Sequence, residues 1–250
     1  MATAHIVTFH KCGSNWFRRL FREAATRNGL NIAVAKPNDA AINQPVHTGA
    51  ADTVMLHRNV RARAVLAVAA EDDPVVLCVR DPKDVVVSQY WSWRGTHANN
   101  TPAILEAREV LNARPLAEGL AYLVTEREVP FLAAIAGWEA AIASGRARLL
   151  KYEDLLADFD AALAPVLDEV RTPLDPAGLD ALRQKYSFAA MTARDAGVED
   201  RTSHYRKGVA GDWANYFDAD LAAAFDARFG GLTAMLGYAP AATPAADPAH

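Results

Sequence analysis

The sequence lacks the features that mark several classes of protein. It has only two cysteines, Cys12 and Cys78, which lie too far apart to suggest a disulfide framework and are too few for a cysteine-based zinc site. No apolar run approaches the roughly 20 residues that a membrane-spanning helix needs. Basic residues are not in excess, since 26 Lys+Arg stand against 30 Asp+Glu, so duplex nucleic acid is not the expected partner. With no basic N-terminal stretch of the signal-peptide kind, these absences predict a cytoplasmic protein.

The overall composition is that of a globular protein with a large core. The chain has 250 residues, of which 51% are hydrophobic and 22% charged. Apolar runs at 5–9, 53–57, 75–79 and 147–152 predict buried strands, and stretches with helical spacing separate them. This alternation predicts an α/β protein with a central parallel β-sheet flanked by helices. We expect a single domain over 1–238 and a flexible Ala/Pro-rich tail over 239–250.

The first chemically suggestive segment, residues 10–16, reads His-Lys-Cys-Gly-Ser-Asn-Trp and joins the first predicted strand to a helix. A helix N-terminus offers free N–H groups to an anion, and Gly13 lets the backbone approach it closely. Lys11 adds a positive charge, while Ser14 and Asn15 add donors, so the loop suits a phosphate or a sulfate. Because the Lys precedes the Gly, this is not a Walker A motif. The alternative is a capped helix beside a solvated lysine.

Two further segments carry cations. Residues 80–88 (Arg-Asp-Pro-Lys-Asp-Val-Val-Val-Ser) follow the 75–79 strand. Arg80 thus stands at a strand's carboxyl end, where open α/β sheets bind ligands, and its guanidinium can make paired hydrogen bonds to phosphate. Residues 206–213 (Arg-Lys-Gly-Val-Ala-Gly-Asp-Trp) combine two cations with two glycines, a pattern typical of an anion-binding loop. For the first segment, the alternative is a surface Arg80 paired with Asp81 or Asp84. For the second segment, it is a solvated charged turn.

Together these segments resemble the cytosolic-type sulfotransferases that use 3′-phosphoadenosine 5′-phosphosulfate (PAPS). The five segments that match the family's motifs, in the family's order, are Lys11 to Trp16, Arg80 to Ser88, Tyr152 to Leu155, Ser187 to Met191, and Arg206 to Trp213. The resemblance covers residues 5–217 and implies a P-loop-NTPase-like sulfotransferase fold. We expect a bacterial member of the family.

The resemblance implies how the donor is bound. The residues that it places at the 5′-phosphosulfate are Lys11, Cys12, Gly13, Ser14, Asn15 and Trp16. Those that it places at the 3′-phosphate are Arg80, Ser88, Arg206, Lys207 and Gly208. Trp16 and Phe188 would pack on the adenine, and Tyr152 would touch the nucleotide. No metal is expected, because the chain has no Walker A loop or acidic triad that would hold magnesium.

The family's general base is a His at the end of the strand before the Arg-x-Pro-Lys-Asp strand, and His57 matches it. A pKa near 6.5 would suit proton transfer at neutral pH, whereas a lone His at a strand end can also be a capping or core residue. The implied reaction is in-line transfer of a sulfuryl group from PAPS to a hydroxyl, leaving 3′-phosphoadenosine 5′-phosphate (PAP). Lys11 would stabilise charge on the bridging oxygen of the leaving phosphate.

Some positions depart from the family pattern. Asn15 replaces a common Thr, Ala214 replaces a Lys, and a dimer segment of many members is missing, so no oligomeric state is implied. Cys12 would be sensitive to oxidation if the helix N-terminus lowered its pKa, and inert otherwise.

The acceptor stays open among small molecules, lipids and glycans. The segments 30–52 and 91–138 are expected to line its pocket. A P-loop kinase and a non-catalytic PAP-binding module are the alternative functions.

Overall fold

A computed structural model describes residues 3–35, 52–97, 101–127 and 129–241. The chain divides into two compact units. Unit 1 comprises Met1–Arg80 and Pro130–Ala193, and unit 2 comprises Asp81–Val129 and Arg194–His250. The single domain over 1–238 stays a prediction. So does the tail, most of which lies outside the described residues.

Unit 1 contains a five-stranded, wholly parallel sheet in the order β2-β3-β1-β4-β5. Its strands are β1 Ala4–Thr8, β2 Asn31–Val34, β3 Thr53–Arg58, β4 Val75–Val79 and β5 Arg148–Lys151. The predicted parallel α/β architecture is confirmed. Only β2 was not predicted, because this short edge strand is exposed at both ends and lacks the buried apolar run that reveals the others.

The α-helices of the described residues are, in chain order, α1 Ser14–Arg27, α2 Ala62–Leu66, α3 Pro82–Trp91, α4 Pro102–Ala113, α5 Leu116–Thr125, α6 Pro130–Ala136, α7 Glu139–Ala143, α8 Tyr152–Ala157, α9 Phe159–Glu169, α10 Pro176–Lys185, α11 Phe188–Thr192 and α12 Ala219–Met235. A π-helical turn, Ser92–Thr96, continues α3, and a 3₁₀ turn spans Asp212–Asn215. None of the described helices is long and apolar enough to cross a membrane.

Helix α1 covers one face of the sheet. Its apolar stripe of Phe17, Leu20 and Phe21 is fully buried, as the sequence spacing predicts. Burying one such side chain contributes roughly 2 kcal/mol. Ile6 and Leu56 belong to the same core. Because side chains alternate along a strand, the neighbours of these two residues in sequence face the opposite side of the sheet.

Unit 2 is helical, and its helices begin where the sequence indicates. The Asp81 carboxylate caps α3 by accepting a hydrogen bond from the Lys83 N–H (2.9 Å), and Pro82 occupies the first turn. Asp218 caps α12 in the same way through the Leu221 N–H (2.8 Å). These caps fix the ends of both helices.

Candidate active site

The loop between β1 and α1 has a backbone that few residue types tolerate. Lys11 and Gly13 both have positive φ, 64° and 79°. Gly13 is the N-cap of α1, and a Cβ there would lie 3.0 Å from Cδ2 of Tyr152. Both the conformation and the limited space therefore favour glycine at this position. The first N–H groups of a helix have no acceptor within it, so this turn suits an anion.

Aromatic and cationic side chains of unit 1 gather beside this loop. The rings of Trp16 and Tyr152 meet edge to face, 5.5 Å between centroids. The guanidinium carbon of Arg80 lies 4.7 Å from the centroid of the Tyr152 ring. Trp16 is buried in the core, yet its indole N–H has no hydrogen-bond partner among the described residues. Phe188 is half-buried at the start of α11.

Cys12 is fully buried in the same loop. Burial raises the pKa of its thiol to about 12, although the nearby charge of Arg80 acts in the opposite direction. The thiolate is therefore scarce at neutral pH, and the oxidation-sensitive interpretation is wrong.

His57 stands near the carboxyl end of β3, as predicted, but its side chain is fully buried. Burial, reinforced by the neighbouring His5, lowers the pKa of His57 to about 3. The expectation of a pKa near 6.5 is therefore wrong, because the imidazolium would have to exist away from water. At neutral pH His57 is an uncharged imidazole, which is the form a general base requires.

The cationic loop of unit 2 is paired with carboxylates. Arg206 contacts both Glu199 and Asp212, and Lys207 Nζ lies 2.5 Å from Asp212 Oδ1. Burial tends to raise the pKa of Asp212, but Lys207 and Arg206 lower it overall. The predicted alternative of a solvated turn is wrong, since the Arg206 side chain is only 10% exposed.

Asp84 holds this loop to α3. Its carboxylate accepts hydrogen bonds from the N–H groups of Gly211 and Trp213, both at 2.9 Å. The sequence predicts its first-turn position but not this contact, because the partners lie more than 120 residues away. Gly208 adopts φ 70°, and Ser88 is half-buried on α3. Unit 2 therefore brings its predicted cations together through acidic residues that sequence reasoning missed.

The segments expected to line the acceptor pocket are described only in part. Residues 36–51, 98–100 and 128 lie outside the described residues. Trp138 is fully buried and donates its indole N–H to the Val60 carbonyl (3.1 Å), which makes it a core residue. Trp93 is buried as well. Within the described ranges, no group of three or more His, Cys, Asp or Glu has the arrangement of a metal site.

Comparison with known proteins identifies the family. The model of the sulfotransferase domain family matches residues 3–237, so the chain belongs to that family. Sulfotransferase 2A6 of Mus musculus is 28% identical over 179 residues, which are 68% of this chain and 59% of the relative. The chain thus covers less than two thirds of this relative's length. A 3-alpha-hydroxysteroid sulfotransferase of Cavia porcellus is 21% identical over 94% of this chain and 84% of its own length.

Solved structures confirm the fold. Mouse sulfotransferase SULT7A1, in complex with PAP, superposes with a TM-score of 0.62 at 18% identity, over 92% of this chain and 84% of its own. A retinol dehydratase in complex with retinol and PAP superposes with a TM-score of 0.57 at 15% identity, over 92% of this chain and 80% of its own. The predicted family and the P-loop-like sulfotransferase fold are confirmed. Bacterial origin and a cytoplasmic location stay predictions.

Proposed function

We propose that this chain is a PAPS-dependent sulfotransferase that transfers a sulfuryl group to a hydroxyl and releases PAP. The observation that carries the proposal is the left-handed turn at Lys11–Gly13, which opens α1 in a chain of the sulfotransferase domain family. A P-loop kinase would need the Walker A order, which this loop lacks.

The turn of unit 1 would bind the 5′-phosphosulfate. The backbone N–H groups of Gly13, Ser14 and Asn15 and the side chains of Ser14 and Asn15 supply donors. Cys12 and Trp16 shape the turn, because their N–H groups donate to the carbonyls of Phe9 and Gly13. Lys11 stabilises the charge that builds on the bridging oxygen as the S–O bond breaks. Trp16 and Phe188 provide ring faces for adenine, with Tyr152 between Gly13 and Arg80.

For the 3′-phosphate, the candidate of unit 1 is Arg80. The candidates of unit 2 are Ser88, Arg206, Lys207 and Gly208. Asp212 holds Arg206 in place, so little side-chain entropy is lost on binding. A nucleotide without the 3′-phosphate leaves these interactions unused, which gives selectivity for PAP over ADP or AMP.

His57 would act as the general base. As the acceptor oxygen bonds to sulfur, its proton passes to His57. The electron pair of the broken S–O bond stays on the 5′-phosphate of PAP. Because His57 is fully buried, the packing around its ring has to open when the acceptor binds.

The acceptor is proposed to be a small apolar alcohol. Similar proteins are named for a hydroxysteroid or are solved with retinol or androsterone. A buried base favours an apolar substrate, because such a substrate loses little hydration free energy when it leaves water. Lipid and glycan acceptors are the alternatives for a substrate panel.

Thermal shift with PAP and ADP, followed by transfer of labelled sulfate from PAPS to steroid alcohols and retinol, tests the proposal. We expect PAP to stabilise the chain more than ADP and label to enter at least one alcohol. Arg206→Ala should abolish the preference for PAP, whereas the exposed Arg183→Ala should retain it. Stronger stabilisation by ADP would favour the kinase. PAP binding with no transfer to a broad panel would favour the binding module.

A further inference from the structure

A row of three buried titratable side chains crosses one face of the sheet in unit 1. His5 Nδ1 lies 3.0 Å from His57 Nε2, and the planes of the two rings are inclined by only 15°, with centroids 5.2 Å apart. His5 Nε2 in turn lies 3.7 Å from Asp73 Oδ2. Both histidines are 0% exposed and Asp73 is 6% exposed. The row thus runs from the amino end of β4 to the carboxyl end of β3.

Asp73 is held firmly at its end of the row. Its Oδ1 accepts a hydrogen bond from the Thr3 N–H (2.8 Å), and its Oδ2 accepts one from the Ala70 N–H (2.9 Å). The Arg146 guanidinium donates to the backbone carbonyls of Asp73 and Ala70 (2.8 and 2.6 Å). The carboxylate therefore presents a fixed negative charge to His5.

We propose that His5, oriented by Asp73, is a positioning residue that keeps His57 in the Nε2–H form, with the lone pair of Nδ1 ready for the acceptor's proton. This inference rests on the proposed role of His57 as the base. Family resemblance did not indicate His5.

The proton positions follow from the geometry. The charge of the carboxylate favours the His5 proton on Nε2, the nitrogen nearest to it, although the 3.7 Å separation is longer than a hydrogen bond. His5 Nδ1 then carries a lone pair, so the hydrogen bond between the rings has His57 Nε2 as its donor. A neutral imidazole has one N–H, which leaves His57 Nδ1 without a proton. His57 Nδ1 is also a buried atom with no partner among the described residues.

This arrangement supports the chemical step. When the acceptor's proton moves to His57 Nδ1, the new imidazolium still donates Nε2–H to His5 Nδ1. The charges that face His5 are the carboxylate of Asp73, which stabilises the cation, and the guanidinium of Arg146, which opposes it. Without His5, both tautomers of His57 are open, and its buried Nε2 loses its partner.

His5→Gln and His5→Phe form a matched pair for the test. The Gln amide oxygen can accept the Nε2–H bond, whereas Phe fills the space without an acceptor. We expect His5→Phe to lower kcat about 100-fold, because part of His57 would then be in the wrong tautomer. This is the low end of the range for the contribution of a general base. His5→Gln should retain most of kcat. The KM for PAPS and the melting shift with PAP should stay near wild type in both variants.

Nitrogen-15 NMR of the imidazole rings in the wild-type protein gives a readout that needs no turnover. We expect His57 to be Nε2-protonated in wild type and in His5→Gln, and to become a mixture of tautomers in His5→Phe. An Nδ1-protonated His57 in wild type, or unchanged kcat in His5→Phe, would overturn the proposal.

If wild type transfers no sulfate to any acceptor, the proposed function fails, and the tautomer data still decide whether His5 positions His57. If His5→Phe does not fold, the wild-type NMR spectrum and the kcat and spectrum of His5→Gln decide whether His5 positions His57.

Discussion

The two units differ in how charge is arranged among their candidate site residues. In unit 2 the cations Arg206 and Lys207 are compensated by the nearby carboxylates of Glu199 and Asp212. In unit 1 the predicted base is neutral, with a pKa of about 3, and the turn that is proposed to bind the phosphosulfate lies at the start of a helix. Ligand binding in unit 2 should therefore respond to single charges, and binding in unit 1 to backbone shape and burial.

The largest effect that we expect concerns the neutral base of unit 1. His57→Ala should lower the rate of sulfate transfer about 1,000-fold, within the range for loss of a general base. The melting shift with PAP should remain, because His57 is not proposed to bind the nucleotide. Rates from initial velocities at saturating PAPS provide the measurement, and a rate near that of wild type would remove His57 from the mechanism.

The burial of His57 should also appear in the pH dependence of stability. Its pKa is about 3 in the folded chain and near 6.5 unfolded, so below pH 6.5 the unfolded state binds more protons. The free energy of unfolding should therefore fall by about 2 kcal/mol between pH 7 and pH 5. Urea denaturation across this range checks the slope.

His57→Gln should reduce this dependence to the part that the buried His5 contributes, whereas the exposed His204→Gln should leave it unchanged. A wild-type free energy of unfolding that stays constant from pH 7 to pH 5 would contradict the buried neutral state of His57.

Backbone shape is tested at Gly13. In Gly13→Ala, the alanine has to adopt a left-handed backbone conformation, and its Cβ lies 3.0 Å from the Tyr152 ring. We therefore expect a loss of about 1–2 kcal/mol in the free energy of unfolding and weaker PAPS binding. Gly29 has a similar φ of 68° and no atom within 4 Å of an added Cβ, which makes Gly29→Ala the matched control. Isothermal titration and urea denaturation compare the two variants. Equal effects would show that Tyr152 does not restrict the turn.

The smallest effect is expected from a single charge in unit 2. Glu199 contacts Arg206, where it would compete with the 3′-phosphate that Arg206 is proposed to bind, while Asp212 still holds the guanidinium. Glu199→Gln should therefore tighten PAP binding about threefold, in line with the modest value of partly exposed ion pairs. The exposed Glu139→Gln is the control, with titration calorimetry as the readout. Weaker PAP binding in Glu199→Gln would mean that Glu199 serves mainly to hold Arg206.

Local patterns predict much of this chain. The buried face of α1 follows from the spacing of Phe17, Leu20 and Phe21, and the glycine turn follows from its place between a strand and a helix. By contrast, β2 has too little apolar sequence to be recognised. The partners of Arg206 are acidic residues that look like any others in the sequence.

The sequence by itself determined the family, the order of the four buried strands, and the positions of the cationic segments, because these depend on local spacing and short motifs. Only the tertiary structure decided that His57 is buried beside His5, that burial raises the pKa of Cys12, and that Asp84 holds the cationic loop. Those properties depend on desolvation and on pairs of residues far apart in the chain. Neither is encoded in any short stretch of sequence.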